Sequence, residues 1–268
     1  MMRALYTAAS GMRAQQTNVD NISNNIANVN TTAFKSQKTE FKSLLYQTRT
    51  TSANGEEKPI GAQVGLGTRV ASNTTSYTQG ALLEDESKSA FAIEGNGFFQ
   101  VRGADGTTYY TRNGNFNWSI GPTGTTLTNT DGYPVLDSNG NTIVLPNNVN
   151  SEKAVVTTDG QVGYYNNAGA YVSMNRTIGL SQFNNPAGLE KAGSNLLRAT
   201  NASGAALNEA TNANLTRSKI HQSYLEGSNV QVADEMVNLI VAQRAYQLNS
   251  KAITTSDDML EQANNLKR

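Results

Sequence analysis

The chain has 268 residues, enough to bury a sizeable core and to form two domains joined by linkers. Charged residues are 16%, below the roughly 25% of ordinary soluble proteins, and a formal net charge of zero argues against a nucleic-acid surface or an anionic-membrane binder. The absence of cysteine excludes disulfides and thiolate metal sites, and no apolar run approaches the ~18 residues that membrane insertion requires.

The start, Met1-Met2-Arg3-Ala4-Leu5-Tyr6, lacks the apolar core of a secretory signal peptide, so any export is expected to use another route. Leu5, Met12, Val19 and Ile26 then recur at seven-residue intervals, with Ala8, Gln15, Ile22 and Val29 at the second seam position. The spacing is that of a coiled coil, but the seam is thin, because Ala and Gln stand where Leu or Ile would bury more area. Asn18, Asn21, Ser23, Asn24, Asn25 and Asn28 crowd the other faces, and such residues favour caps and turns over helix interiors.

After Val29 the helical signal stops at Asn30-Thr31-Thr32, and Phe34, Phe41, Leu44 and Leu45 follow in a short packing segment. Tyr46 to Val70 reads as a long extended excursion, with Asn54-Gly55 as its turn and Lys58-Pro59, Gly61, Gly65 and Gly67 along it. Such a long loop is usually functional or disordered. From Phe91 the pattern becomes short strands. Phe98–Val101 and Thr107–Arg112 flank an Asp105-Gly106 turn, and Asn113-Gly114, Asp131-Gly132, Asn139-Gly140 and Asp159-Gly160 repeat the signal. An all-β domain to about Leu196 follows from this, with a polar, alanine-rich linker over Asn201–Asn214.

The last forty residues hold the strongest signal. Ser228 and Gln231 have the spacing of a capping box. Val232, Leu239, Tyr246, Ile253 and Leu260 recur every seven residues, and Met236, Ile240 and Ala242 widen the stripe. No glycine or proline interrupts the run, so a helix of roughly 50 Å is expected, one that asks for a partner lying nearly parallel. Burying a leucine-sized side chain contributes about 1.5–3 kcal/mol, against roughly 1–2 kcal/mol per residue for ordering backbone. Two helices with so thin a seam are therefore marginal alone, and further copies are expected to pack around them.

The predicted fold class is α+β: long N- and C-terminal helices paired as a coiled-coil-like domain, with an inserted all-β domain and extended connecting segments. The divisions are 1–33 for the first helix, 34–75 for the extended linker or hairpin, 76–200 for the β domain, 201–225 for a linker and 226–268 for the final helix. Leu5, Met12, Val19, Ile22, Ile26, Val232, Met236, Leu239, Tyr246, Ile253 and Leu260 are the expected inter-subunit packing residues. Two readings of the stripes stay open: an intramolecular pair closing a globular protein, or packing between copies.

Little else points to chemistry. Gly65-Leu66-Gly67 and Gly95-Asn96-Gly97 lack the strand-to-helix context of a phosphate loop. His221, the only histidine, has no partner at ligand spacing. Asp105, Asp131 and Asp159 sit in turns, although a carboxylate pair for glycoside hydrolysis stays possible on sequence alone. Arg244 and Lys251 could line a channel or pair with Glu235 or Asp258. No catalytic residue, cofactor or metal is expected.

Several stretches resemble the signatures of bacterial flagellar rod and hook proteins. They are Ser10-Gly11-Met12, Gln15-Gln16, Asp20, Ser23 to Thr31 and Phe34-Lys35 at one end, and Glu226-Gly227-Ser228-Asn229-Val230, Glu235-Met236-Val237, Gln243-Arg244-Ala245-Tyr246 and Asn249-Ser250-Lys251 at the other. Between them Gly95-Asn96-Gly97-Phe98-Phe99 and Tyr110 to Phe116 resemble the β domain that rod and hook subunits share. The size suits a single β domain, and the Tyr46–Val70 excursion sits where the distal-rod branch carries an extra segment. The chain departs from the pattern at Asn117-Trp118-Ser119-Ile120, where an acidic residue is usual, and at Ala33, where many members have glycine.

The resemblance implies a structural subunit, not an enzyme, exported through the flagellar type III apparatus. It would self-assemble into a straight, rigid, hollow drive shaft in the basal body, a homo-oligomeric helical tube carrying torque from motor to hook. Its partners would be proximal rod proteins below, the hook protein above, and the peptidoglycan-ring and outer-membrane-ring proteins around it. Tyr46, Thr48, Asn54, Gly55, Lys58 and Pro59 mark the segment expected to reach a neighbour and lock the lattice straight. The alternatives are a proximal rod or hook subunit or, in another class, an oligomeric β-domain enzyme or glycan-binding protein.

Overall fold

In the computed structural model, which describes residues 2–49, 62–121, 124–146, 149–166, 169–212 and 214–266, the polypeptide starts as one helix and ends as another. Helix α1 spans Met2–Ala27 and α2 spans Val232–Asn265. At 1.5 Å per residue α2 is about 51 Å long. Helix α1 stops two residues before the apolar repeat does. Thr31 donates its N–H to the Asn28 carbonyl and its hydroxyl to the Asn28 side chain, the local bonding by which asparagine competes with helix. Two units divide the chain: 1–27, 37–76 and 231–268 form one, and 28–36 with 77–230 form the other.

In the first unit the predicted excursion is a paired ribbon. Strand β1 (Gln37–Ser43) pairs antiparallel with β4 (Thr68–Thr75), with a bulge between Glu40 and Phe41. The ladder continues through Leu44 to Gly67 and Leu66 to Leu45 into β2 (Tyr46–Arg49) and β3 (Ala62–Gly65). Asparagines of α1 fasten its base. Asn21 Nδ2 donates to Thr39 Oγ1 at 2.6 Å. The buried Asn25 accepts the Gln37 N–H and donates to the Gln37 carbonyl, both at 2.9 Å. Nearer the start of α1, Ser10 Oγ accepts the Thr68 N–H. Gly67 packs so closely there, at φ 121°, that a Cβ would strike the Ser10 hydroxyl.

Helix α2 runs antiparallel to α1 in the same unit. Asn25 also donates to Glu235 Oε1 at 3.2 Å, and Gly11 lies against the Asn249 side chain. The predicted capping box does not form. Gln231 is the N-cap and makes no side-chain cap bond, because Ser228 Oγ accepts the Val230 N–H and Asn229 is engaged upstream. Asp234 and Glu235 occupy the first turn instead, where carboxylates complement the helix dipole.

The second unit is the inserted β structure. Its largest sheet has six strands in the order Glu190–Gly193, Leu196–Arg198, Thr108–Thr111, Phe98–Arg102, Leu180–Gln182 and Leu207–Asn208. Phe91, Ile93, Phe99, Val101, Phe116 and Leu127 are central to the main core, where the Phe99 and Phe116 rings meet edge-on at 5.1 Å. Four of the five turn dipeptides close hairpins, at Asp105-Gly106, Asp131-Gly132, Asn139-Gly140 and Asp159-Gly160, each glycine at φ 78–84°. Asn113-Gly114 does not. Gly114 accepts the Phe91 N–H, and a Cβ there would collide with the Phe91 carbonyl. Residues 201–214 contribute a strand, Leu207–Asn208, and the buried Glu209, whose carboxylate accepts the Ser218 N–H and hydroxyl.

Candidate functional site: a helix face, a ribbon and a buried clasp

Helix α2 turns small and polar residues inward. Its buried positions are Ala242 and Ser256, aligned at heptad spacing with Glu235 and Asn249, which touch α1. Among the predicted packing residues Leu239, Ile253 and Leu260 are half-buried. Val232, Met236 and Tyr246 are 40%, 54% and 41% exposed. Beyond them Val237, Ile240, Val241 and Leu248 are more than half exposed, so much of the helix's apolar surface is uncovered. On α1 Ile22 is buried with Ala8, Gly11, Ala14 and Asn25, while Leu5, Met12, Val19 and Ile26 lie half-buried at the flank. The physical reason is that α1 has two neighbours. The ribbon claims the face bearing Asn21 and Asn25, and small residues let α2 approach the other.

The ribbon is also uncovered. Phe41, Leu45 and Tyr46 are 43%, 81% and 61% exposed, an unusual apolar load for a two-stranded sheet that is at best marginal by itself. Of the predicted locking residues Tyr46 opens β2, opposite Gly65, and Thr48 pairs with Gln63. Asn54, Gly55, Lys58 and Pro59 lie outside the described residues.

In the β unit a buried ionic clasp joins the segment following α1 to the segment leading to α2. Lys35 Nζ donates to Glu226 Oε1 at 2.5 Å and to the Thr78 carbonyl at 2.8 Å. Gly80 N–H donates to the same Glu226 oxygen at 3.0 Å, and Arg112 Nε lies 3.4 Å from Oε2. The Arg112 guanidinium also donates to the carbonyls of Gly97 and Gly95, each at 2.7 Å, and stands 5.4 Å from the Phe98 ring centre. Backbone bonds complete the clasp: Ala33 N–H to the Glu226 carbonyl at 2.7 Å and Ser36 N–H to Asn229 Oδ1 at 2.8 Å. Burial pushes the Lys35 ammonium below its ordinary value, with Glu226 opposing the shift, and burial likewise lowers Arg112. This bonding ties together segments far apart in the sequence. The sequence held a signal for it, since Lys35, Arg112 and Glu226 each sit in a separate quoted motif.

His221 bonds Glu94 at 2.8 Å across neighbouring strands. Among the described residues no cluster of acidic, His or Cys side chains could hold a metal, and no helix is long and apolar enough to cross a membrane.

The terminal helices share one unit, the β unit is inserted between them in sequence, and helix and ribbon both carry exposed apolar residues. Three family models match: Flagella basal body rod protein over 5–35, Flagellar hook protein FlgE/F/G D1 domain over 92–164, and Flagellar basal body rod FlgEFG protein C-terminal over 221–266. The chain belongs to the flagellar basal-body rod family. Along its whole length it is similar to the FlgG members, at 42% identity to that of Borreliella burgdorferi, covering 100% of both chains, and 42% to that of Agrobacterium fabrum, covering 96% of this chain and 97% of the relative. The Flagellar hook-basal body complex protein FlhP of Bacillus subtilis is 31% identical with 100% of both covered. The protein is thus a structural rod component of the flagellar basal body, not an enzyme.

Proposed function

We propose that the chain forms the distal segment of the rod, a straight hollow drive shaft that carries torque from motor to hook through the peptidoglycan and outer-membrane rings. Subunits pass the flagellar type III export apparatus and polymerise on the proximal rod, and the hook continues from them. The observation that carries this reading is the uncovered apolar face of α2 on a helix pair whose own seam is small and polar. Leu5, Met12, Val19, Ile22 and Ile26 of α1, with Val232, Met236, Leu239, Tyr246, Ile253 and Leu260 of α2, pack as a coiled-coil-like layer completed by sister molecules. Contacts between unlike surfaces generate open filaments when their repeat does not close into a ring, and that is the arrangement proposed here.

The ribbon gives the tube its straightness. Its exposed Leu45 and Tyr46, with the segment 48–58, reach a neighbour and hold one spacing. Electron microscopy of polymers grown from purified subunit tests both points. Straight tubes from the full chain, and curved or irregular ones after deletion of 48–58, are expected. A deletion variant that still builds unchanged straight tubes rejects the locking role, and curved tubes from the full chain favour a hook-like subunit.

A further inference from the structure

On the side of α2 opposite Ala242 and Ser256, steps of three, four and seven residues bring Val237, Ile240, Arg244, Leu248, Lys251 and Asp258 into one line. All six are exposed. Arg244 reaches only Gln247 of its own helix, at 3.2 Å, and none of the three charges has an oppositely charged partner among the described residues. Within the helix they cannot pair, because neighbours on this line stand seven residues apart, about 10 Å, whereas helix ion pairs form at three or four.

We infer that this line is the contact for α2 of a second copy pointing the same way and displaced by fourteen residues, about 21 Å, so that Asp258 of one copy meets Arg244 of the next. Among same-direction offsets that line up these charges, fourteen residues is the one that makes an unlike pair without a like one. A shift of seven residues would pair Asp258 with Lys251 but would also set Lys251 beside Arg244, like against like, so the two cancel. A two-fold antiparallel match closes on itself as a dimer and cannot propagate a filament, and matching Asp258 with Arg244 that way would also set Lys251 against its own copy. The chosen offset instead lays the Lys251 stem along Val237 and uses unlike ends of the helix, which leaves the contact open-ended. This rests on the polymerising reading above and supplies the partner of that face and its register.

The test is polymerisation of the full-length purified chain, followed by sedimentation and electron microscopy, with far-UV circular dichroism of each monomer beside it. R244E and D258R should each raise the concentration needed for polymer by about tenfold or more, and the combined R244E/D258R chain should recover most of it. R244Q and D258N, which introduce no new repulsion, should polymerise more weakly than wild type and with less salt dependence. Single reversals indistinguishable from wild type, a failed rescue, or rescue of D258R by K251E in place of R244E would each overturn the register while leaving the rod reading intact. Wild-type chain that never polymerises removes the self-polymerising reading and this inference together.

Discussion

Lys35 and Glu226 stand 191 residues apart in the chain and 2.5 Å apart in the fold. The pair is buried, Glu226 at 1% exposure, and Arg112 sits on the other carboxylate oxygen. Removing one member of such a group leaves uncompensated buried charge, which costs about 3–5 kcal/mol. Glu226→Ala strands two cations and is expected to show the full loss in denaturant unfolding of the β unit. Lys35→Met leaves Arg112 for Glu226 and should cost less. Equal, small losses in both would mean that the clasp contributes little.

Ala33 adopts φ 57°, a left-handed conformation that costs an L-residue roughly 1–2 kcal/mol. That conformation has a physical consequence. Ala33→Gly should relieve the strain, lose a little buried methyl contact and gain backbone entropy in the unfolded chain, for a net stabilisation of about 0.5–1 kcal/mol. A shift in the midpoint of chemical unfolding reports it.

Alkaline stability should turn on Tyr77. Its hydroxyl is pushed up to about 12 by burial, so the neutral form is favoured in the fold. That contribution is complete below the unfolded value near 10 and is lost as pH rises through about 12. Allowing for partial exposure it amounts to about 1–2 kcal/mol. Lys35 acts with the opposite sign: its value is lowered in the fold, so it adds stability as pH rises towards 10.5. Unfolding measured from pH 10 to 12 should show a falling slope that Tyr77→Phe flattens.

Asn25 ties α1 to the ribbon and to α2 at once, through Gln37 and Glu235. Asn25→Ala leaves half-buried backbone groups of Gln37 without these partners and should destabilise the helical unit by about 1–2 kcal/mol. Asn25→Asp should be at least as harmful at neutral pH, since it sets a carboxylate against Glu235. Thermal loss of helical circular dichroism measures both.

Much of this architecture was legible in the residues. The seven-residue repeats located both helices, the aspartate–glycine dipeptides located real hairpins, and three charged members of the clasp lay in recognisable motifs. The inward face of each helix was harder to choose. On α2 the line through Leu239, Ile253 and Leu260 and the line through Glu235, Ala242, Asn249 and Ser256 both fit the period, and hydrophobicity favours the first. Close approach of the backbones favours small side chains, and the ribbon's claim on α1 is a tertiary effect that no local pattern encodes. Asn113-Gly114 misleads for a similar reason: its glycine answers a close contact with Phe91, not a turn.

The central claim is that sister molecules cover the apolar face that α2 leaves exposed in the lone subunit. Hydrogen exchange of the α2 amides, compared between monomer and polymer, addresses it directly. Over residues 237–248 protection should rise by about a hundredfold or more on polymerisation, since opening free energies in the monomer belong to the low end of the structure. Equal protection in both states, with the helix already firm in the lone subunit, would contradict the account.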